Sequence, residues 1–231
     1  MCGRFVQTQE AENYGSYFSV DVIQTDEVLR SWNVAPTKQV YAVAEHDGQR
    51  MLGTFDWGLV PFWAKDRRIG ARLINARVET AGVKPAFRDS LATRRCIVPA
   101  DGFYEWEPKA RGKLPHYFYS TDRDPLALAG LWSSWTDPGS GDSVRTCTIV
   151  TGSPSDVVAP IHDRMPVILA KAAWDTWLDP DNRDKDAVRA LVAGLPVPDL
   201  SEHAVSTLVN RVANDLPDLI EPLESGAVEG A

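Results

Sequence analysis

The stretch Gln39-Val40-Tyr41-Ala42-Val43-Ala44-Glu45-His46-Asp47-Gly48-Gln49-Arg50-Met51-Leu52-Gly53-Thr54-Phe55-Asp56-Trp57-Gly58-Leu59 decides the fold class. Gln39 to Glu45 is strand-like, Asp47-Gly48 is a hairpin turn signal, and Arg50 to Leu59 is the returning strand. Further strands are expected at Arg95 to Pro99, Asp101 to Trp106 after a bend at Gly102, His116 to Ser120, Leu126 to Trp132 and Val144 to Thr151. Asp137-Pro138-Gly139-Ser140-Gly141 and Arg111-Gly112-Lys113 mark turns between them. A short apolar strand, Val167 to Leu169, and a last one, Ala204 to Asn210, complete the set. Helices are expected from Thr8, as cap, to about Phe18, with Glu10 and Glu12 in the first turn, and at about Lys171–Leu178 and Lys185–Ala193. Trp32 to Thr37 reads as a loop, because the residue before proline is biased away from helix. Ile74 to Thr80 reads as a loop entering a short helix. Many short strands without βαβ alternation predict an α+β fold with a mixed, largely antiparallel sheet, barrel-like closure and surrounding helices.

No repeat or clean linker divides the 231 residues. One domain over 1–222 is expected, with an acidic, frayed tail at 223–231. Hydrophobic residues make up 44% and charged residues 24%, ordinary for a soluble globular chain. No apolar run approaches the ~20 residues that cross a bilayer. The N-terminus carries no basic region followed by an apolar one, so no secretory signal is expected. The three cysteines, Cys2, Cys96 and Cys147, are too few and too scattered for a disulfide framework or a zinc site. A cytoplasmic location and no metal follow as expectations. Net charge is −8, but from Phe62 to Arg111 there are 11 Lys/Arg against 6 Asp/Glu, while from Asp181 onward there are 4 against 10. A local basic face, including Arg67-Arg68 and Arg94-Arg95, is therefore possible on an acidic protein. The bland alternative is a solvated surface.

Cys2 follows Met1 directly. Removal of Met1 would leave a cysteine with an α-amine, titrating at about 7.7–8.0, next to a thiol titrating at about 8.5. The amine can form a Schiff base with a carbonyl, and the thiolate can close on the same carbon to a five-membered thiazolidine. Alternatively, Cys2 is a small hydrophobe near a chain end. Of the four histidines, His46 abuts the hairpin turn, His116 lies in a strand, and His203 lies between a helix and a strand. His162 precedes Asp163-Arg164 just before a strand, a position that presents side chains at a sheet end. In an extended Phe103-Tyr104-Glu105-Trp106, Glu105 shares a face with Phe103, and Tyr104 with Trp106. A carboxylate among aromatics should be desolvated and its pKa raised, which suits proton transfer; the alternative, favoured by this stretch alone, is an exposed glutamate on an edge strand. Asn75 can orient an amine or carbonyl, and Arg77 can hold a phosphate. Trp63, Trp106, Arg4, Arg77 and Arg164 could together form the aromatic and cationic groove that holds single strands.

Six motifs occur in order: Met1-Cys2-Gly3-Arg4-Phe5, Asn33-Val34-Ala35-Pro36, Trp57-Gly58-Leu59-Val60-Pro61, Asn75-Ala76-Arg77-Val78-Glu79-Thr80, Asp101-Gly102-Phe103-Tyr104-Glu105-Trp106 and Ile161-His162-Asp163-Arg164-Met165-Pro166. In these the chain resembles the SOS-response-associated peptidase (SRAP) family of abasic-site processing proteins. The resemblance implies a protein that binds abasic sites in single-stranded DNA and crosslinks to them through the N-terminal cysteine. It implies Cys2 for the crosslink, Asn75 for orienting it, Glu105 for proton transfer and His162 for adduct chemistry. Arg4, Trp63, Arg77, Trp106 and Arg164 would contact DNA. No cofactor is expected, the partner is abasic single-stranded DNA rather than a membrane, and a monomer is expected. Three rival readings remain. One is a thiol peptidase acting on itself or other proteins, with Cys2 as nucleophile. Another is an N-terminal-cysteine glutamine amidotransferase, whose chains usually carry an aliphatic residue where this one has Arg4-Phe5. The third is a non-catalytic DNA-binding module.

Overall fold

The hairpin forms where the sequence places it: β4 (Gln39–His46) pairs antiparallel with β5 (Gln49–Trp57), joined by Asp47 and Gly48 at φ 53° and 73°. Both turn residues are left-handed, the two-residue turn whose twist matches the flanking strands. The computed structural model describes residues 2–24, 30–194 and 198–223. Before the hairpin come β1 (Phe5–Gln7), α1 (Ala11–Tyr17), β2 (Val22–Gln24) and β3 (Ser31–Val34). After it come β6 (Asn75–Arg77), α2 (Val78–Ala81), α3 (Arg88–Thr93), β7 (Arg95–Ala100), β8 (Gly102–Pro108), β9 (Lys113–Ser120), β10 (Leu126–Thr136) and β11 (Ser143–Gly152). β12 (Met165–Pro166), α4 (Trp174–Leu178), α5 (Lys185–Ala193) and β13 (Leu200–Ala204) follow.

Strands β5, β4, β7, β10 and β11 are antiparallel neighbours in that order, and β11 returns to pair with β5. The ring is a closed five-stranded barrel. An odd ring cannot be antiparallel throughout, so one neighbouring pair must be parallel. That pair is β5–β11, with Asp56 opposite Thr146 and Trp57 opposite Cys147. Alternate residues fill the lumen: Val40, Ala42 and Ala44, Phe55 and Trp57, Cys96 and Val98, Leu128, Cys147 and Ile149. The intervening set, including Tyr41, Val43, Leu52, Ile97 and Ala129, packs outward against Tyr14, Phe18, Leu91, Trp174 and Trp177 of the helices. Burial on both faces explains why Arg95–Ala100 is buried throughout.

The second sheet, in the order β13-β9-β8-β1-β3, lies against the barrel. Phe5, Phe103 and Phe118 face the lumen cluster, while Val6, Tyr104 and Tyr117 face the opposite way, onto Val205, Val209 and Leu219. The trajectory from β5 into the following loop is fixed by Gly58, at φ 135°, where a Cβ would stand 2.6 Å from the Gly70 carbonyl oxygen. Only glycine accepts both that dihedral and that approach.

Several expectations are corrected. Thr8 caps no helix: its amide and hydroxyl both donate to Asp101 Oδ2, at 2.7 and 2.6 Å, and α1 begins after Glu10. Ser31–Val34 is a strand rather than a loop, because it pairs with β1. Asn75–Arg77 is a strand, laid parallel on β11. The strand expected at Val167 to Leu169 forms earlier, at Met165–Pro166, with only an isolated bridge from Ile168 to Leu128. The last strand is Leu200–Ala204, so His203 lies within it, and Thr207–Asn210 is a 3₁₀ turn. Near the end of the described residues Leu219 is buried, and the Leu223 amide donates to the Ala204 carbonyl at 2.9 Å. The rest of the acidic tail, 224–231, lies outside the described residues. Among the described residues, no helix is long and apolar enough to cross a membrane.

Candidate active site

Cys2 lies just ahead of β1, whose Phe5 pairs with Phe103 of β8. The Tyr104 amide donates to the Arg4 carbonyl at 3.0 Å, extending that pairing back toward Cys2. Glu105 shares the Phe103 face, as the alternation predicts, and so is turned toward the barrel at 2% exposure. From the other side, β6 is held on β11 with Asn75 opposite Ile149. The Asn75 Nδ2 group donates to the Cys2 carbonyl at 2.7 Å, and its Oδ1 is buried with no hydrogen-bond partner among the described residues. The segment before β12 supplies His162, whose Nε2 stands 3.8 Å from Glu105 Oε2. Four residues scattered between positions 2 and 162 therefore meet at one point. A cleft of ≈ 550 Å³ opens onto it, lined by Glu105, Trp106, Lys113, His162 and Asn210.

Electrostatics give the members different states. Burial lifts the Glu105 carboxyl from its ordinary 4.5 to about 7. Burial, reinforced by the neighbouring Glu105 charge, pushes the Cys2 thiol far above its ordinary range. The sequence-based expectation of a partly ionised thiol is thus corrected: a wholly buried sulfur has no solvent to stabilise its anion. Burial also lowers the pKa of His162. His162 Nδ1 lies 3.0 Å from the Arg164 amide and 3.1 Å from the Arg164 carbonyl, which fixes the ring with Nε2 turned toward Glu105. When the ring is protonated, Nδ1 meets the Asp163 carboxylate at 3.1 Å.

Arg164 is itself clamped. Its guanidinium donates to both carboxylate oxygens of Glu79, at 2.7 and 3.0 Å, and to the Thr151 carbonyl at 2.7 Å. Arg4 donates to Asn33 Oδ1 at 2.7 Å and to the Val209 carbonyl at 2.9 Å. Of the five residues expected at DNA, Trp106 lines the cleft, Arg4 and Arg164 are engaged inside the fold, and Trp63 and Arg77 are exposed away from the cleft lining. The basic pairs are largely consumed as well. Arg95 is 2% exposed and donates to the carbonyls of Trp177, Leu91, Ala92 and Asp179, Arg67 pairs with Asp56, and Arg68 with Asp66.

Sequence reasoning passed over Lys113 and Asn210. The first lay in a turn signal and the second in a misassigned strand; Asn210 Oδ1 accepts from the Trp106 indole at 2.7 Å. Asn33 was quoted only as part of a motif. It is buried and donates through Nδ2 to the carbonyls of Val209, Arg211 and Asn214, which holds the segment carrying Asn210 against the cleft. Among the described residues, no cluster of three or more His, Cys, Asp or Glu is arranged to hold a metal ion. The expectation about Met1 lies outside the described residues.

The profile of a family described as SOS response associated peptidase (SRAP) matches residues 1–212. The chain is 40% identical over 225 residues to abasic site processing protein YoqW of Bacillus subtilis, covering 96% of this chain and 99% of that one. It is 34% identical over 228 residues to abasic site processing protein YedK of Escherichia coli, covering 96% and 100%. Against abasic site processing protein HMCES of Gallus gallus the identity is 34% over 202 residues, covering 77% of this chain and 59% of that one. A solved structure of a protein from Bacteroides thetaiotaomicron has the same fold, with a TM-score of 0.85 at 23% identity, covering 96% and 100%.

Proposed function

The chain belongs to the SOS response associated peptidase (SRAP) family, and from that premise we propose that it captures abasic sites in single-stranded DNA as a covalent adduct on Cys2. The observation that carries this reading is the convergence of Cys2, Asn75, Glu105 and His162 at one point, with Glu105 and His162 lining the cleft that opens onto it. Once Met1 is removed, the Cys2 nitrogen becomes an amine beside its own thiol. The ring-opened abasic sugar presents an aldehyde. The amine adds to it, water leaves, and a Schiff base forms. The S–H then adds across the C=N bond: sulfur bonds to carbon and nitrogen keeps a proton, closing the thiazolidine. Glu105, which titrates near neutrality, protonates the sugar oxygen as the ring opens and takes the thiol proton as sulfur attacks. The second transfer matters because the buried thiol does not ionise unaided. Asn75 fixes the Cys2 carbonyl and offers Oδ1 to the amine. His162 turns Nε2 toward Glu105 and the developing oxyanion. Trp106 offers a stacking face and Lys113 a cation at the cleft, the two elements that hold single strands without sequence preference. A Schiff base left open would proceed to strand cleavage; ring closure shields the lesion instead. We assign removal of Met1 to the same site, in keeping with the peptidase of the family description.

The test is a denaturing gel of mature protein with abasic and with intact single-stranded DNA. A shifted band with abasic DNA alone is expected, and its absence removes the covalent reading. Cys2→Ser keeps the α-amine and loses the thiol, so its adduct should survive denaturation only after borohydride reduction. A stable adduct of Cys2→Ser without reductant contradicts the thiazolidine.

A further inference from the structure

The barrel has a second open end. Ala44, Met51, Gly53, Phe55, Trp132 and Arg145, all at lumen-facing positions of their strands, enclose a cavity of ≈ 320 Å³ there. None of them lines the cleft beside Cys2. β11 spans the distance: Arg145 stands at one end and Ile149, the partner of Asn75, at the other, four residues or about 13 Å along the strand. Small barrels are normally filled by their inward side chains. Here the small residues Ala44 and Gly53 leave the end hollow. A Cβ on Gly53 would already stand 3.3 Å from an Arg145 guanidinium nitrogen and 3.5 Å from the Phe55 ring.

The lining is chemically selective. Phe55 and Trp132 meet edge to face, with ring centroids 6.0 Å apart at 70°, and make an aromatic corner. Arg145 is exposed, and its guanidinium lies over the Phe55 ring, 5.3 Å from its centroid. An arginine turned into a barrel mouth beside two aromatic rings offers an anion a forked set of donors with an apolar wall behind it. Glu45, next to Ala44 on β4, borders the same cavity. We propose that this mouth is a second ligand site, which takes a planar aromatic ring carrying one anionic group. A nucleoside 5′-monophosphate matches both features: ring on Trp132, phosphate on Arg145.

The test is calorimetric titration of the full chain with dAMP and with 2-naphthoate, which keeps the ring and anion but lacks sugar and base edge. One binding site is expected in the wild type. Arg145→Gln should weaken binding roughly 10- to 100-fold, the range for a lost charged hydrogen bond. Ala44→Leu, which fills the cavity without touching the guanidinium, should weaken it too. Binding of both probes assigns recognition to ring plus anion; binding of dAMP alone adds recognition of the sugar and base edge. Binding should persist on protein already crosslinked through Cys2, and Arg145→Gln should crosslink abasic DNA at the wild-type rate. The proposal is overturned if neither probe binds at millimolar concentration, if Arg145→Gln binds as tightly as the wild type, or if the crosslinked protein no longer binds. These outcomes stand whether or not the adduct chemistry at Cys2 is upheld, since free protein is titrated first.

Discussion

Glu105 is 2% exposed, and its carboxyl titrates near 7 because ionising it inside the fold forfeits hydration. The folded pKa lies above the unfolded one, so its contribution to stability is complete below pH 4.5 and is lost as pH rises to about 7. Glu105→Gln has no such titration. The stability of the wild type relative to the variant should therefore fall by roughly 3 kcal/mol between pH 4.5 and 8, the free energy of a shift of this size. Denaturant unfolding of both proteins at the two pH values measures it, and a pH-independent difference would show that the carboxyl is not perturbed. The same variant should crosslink about 10²–10⁴-fold more slowly at unchanged DNA affinity, because Gln keeps the shape and cannot carry a proton. The face of Glu105 was legible in Phe103-Tyr104-Glu105-Trp106, since a two-residue alternation places it with Phe103, but its burial was not, because an exposed edge strand shows the same alternation. The state of Cys2 was not, because ionisation depends on what surrounds a sulfur rather than on its neighbours in sequence.

The segment carrying His162 is aligned by a clamp between elements: Arg164 reaches Glu79 on α2, directly after the strand that carries Asn75. Arg164 also fixes the His162 ring through its backbone amide. Glu79 thus acts as a positioning residue for both sides of the site. Glu79→Gln should cost only about 1 kcal/mol of stability, since the Glu79 side chain is 49% exposed and solvent screens the pair. It should nevertheless slow crosslinking and shift its pH profile, and Glu79→Asp should restore part of the rate. A stability loss with an unchanged pH profile would make the clamp merely structural. Glu79 stands inside the motif beginning at Asn75, so the sequence displayed it, but not its partner 85 positions away. The three-residue strand Asn75–Arg77 was illegible for a related reason. It carries little alternation of its own, and it is a strand only because β11 offers it an edge. The β4–β5 hairpin was readable because its turn and register are local.

Across the whole molecule, barrel closure brings the ends of the chain's information together: Cys2 near one terminus, Asn75, Glu105 and His162 at intervals, and Asn33 holding the C-terminal segment that carries Asn210. Barrel-like closure was expected from the many short strands, but no local pattern announces which two strands form the parallel seam, and β5–β11 is known only from the structure. The expected basic face is also a whole-molecule question, and much of it proves internal, with Arg95 on backbone carbonyls and Arg67 on Asp56. The proposed chemistry requires a free amine on Cys2. With Met1 or any extension attached, that nitrogen is a planar amide without a basic lone pair, although the thiol is untouched. The direct measurement is therefore a denaturing gel with abasic single-stranded DNA, comparing protein shown by mass spectrometry to begin at Cys2 with protein shown to retain an extension. The adduct should form with the first and not with the second, while both bind the DNA reversibly. Equal rates of stable crosslinking by the two would mean that the α-amine has no part in the chemistry and would contradict the account at its centre.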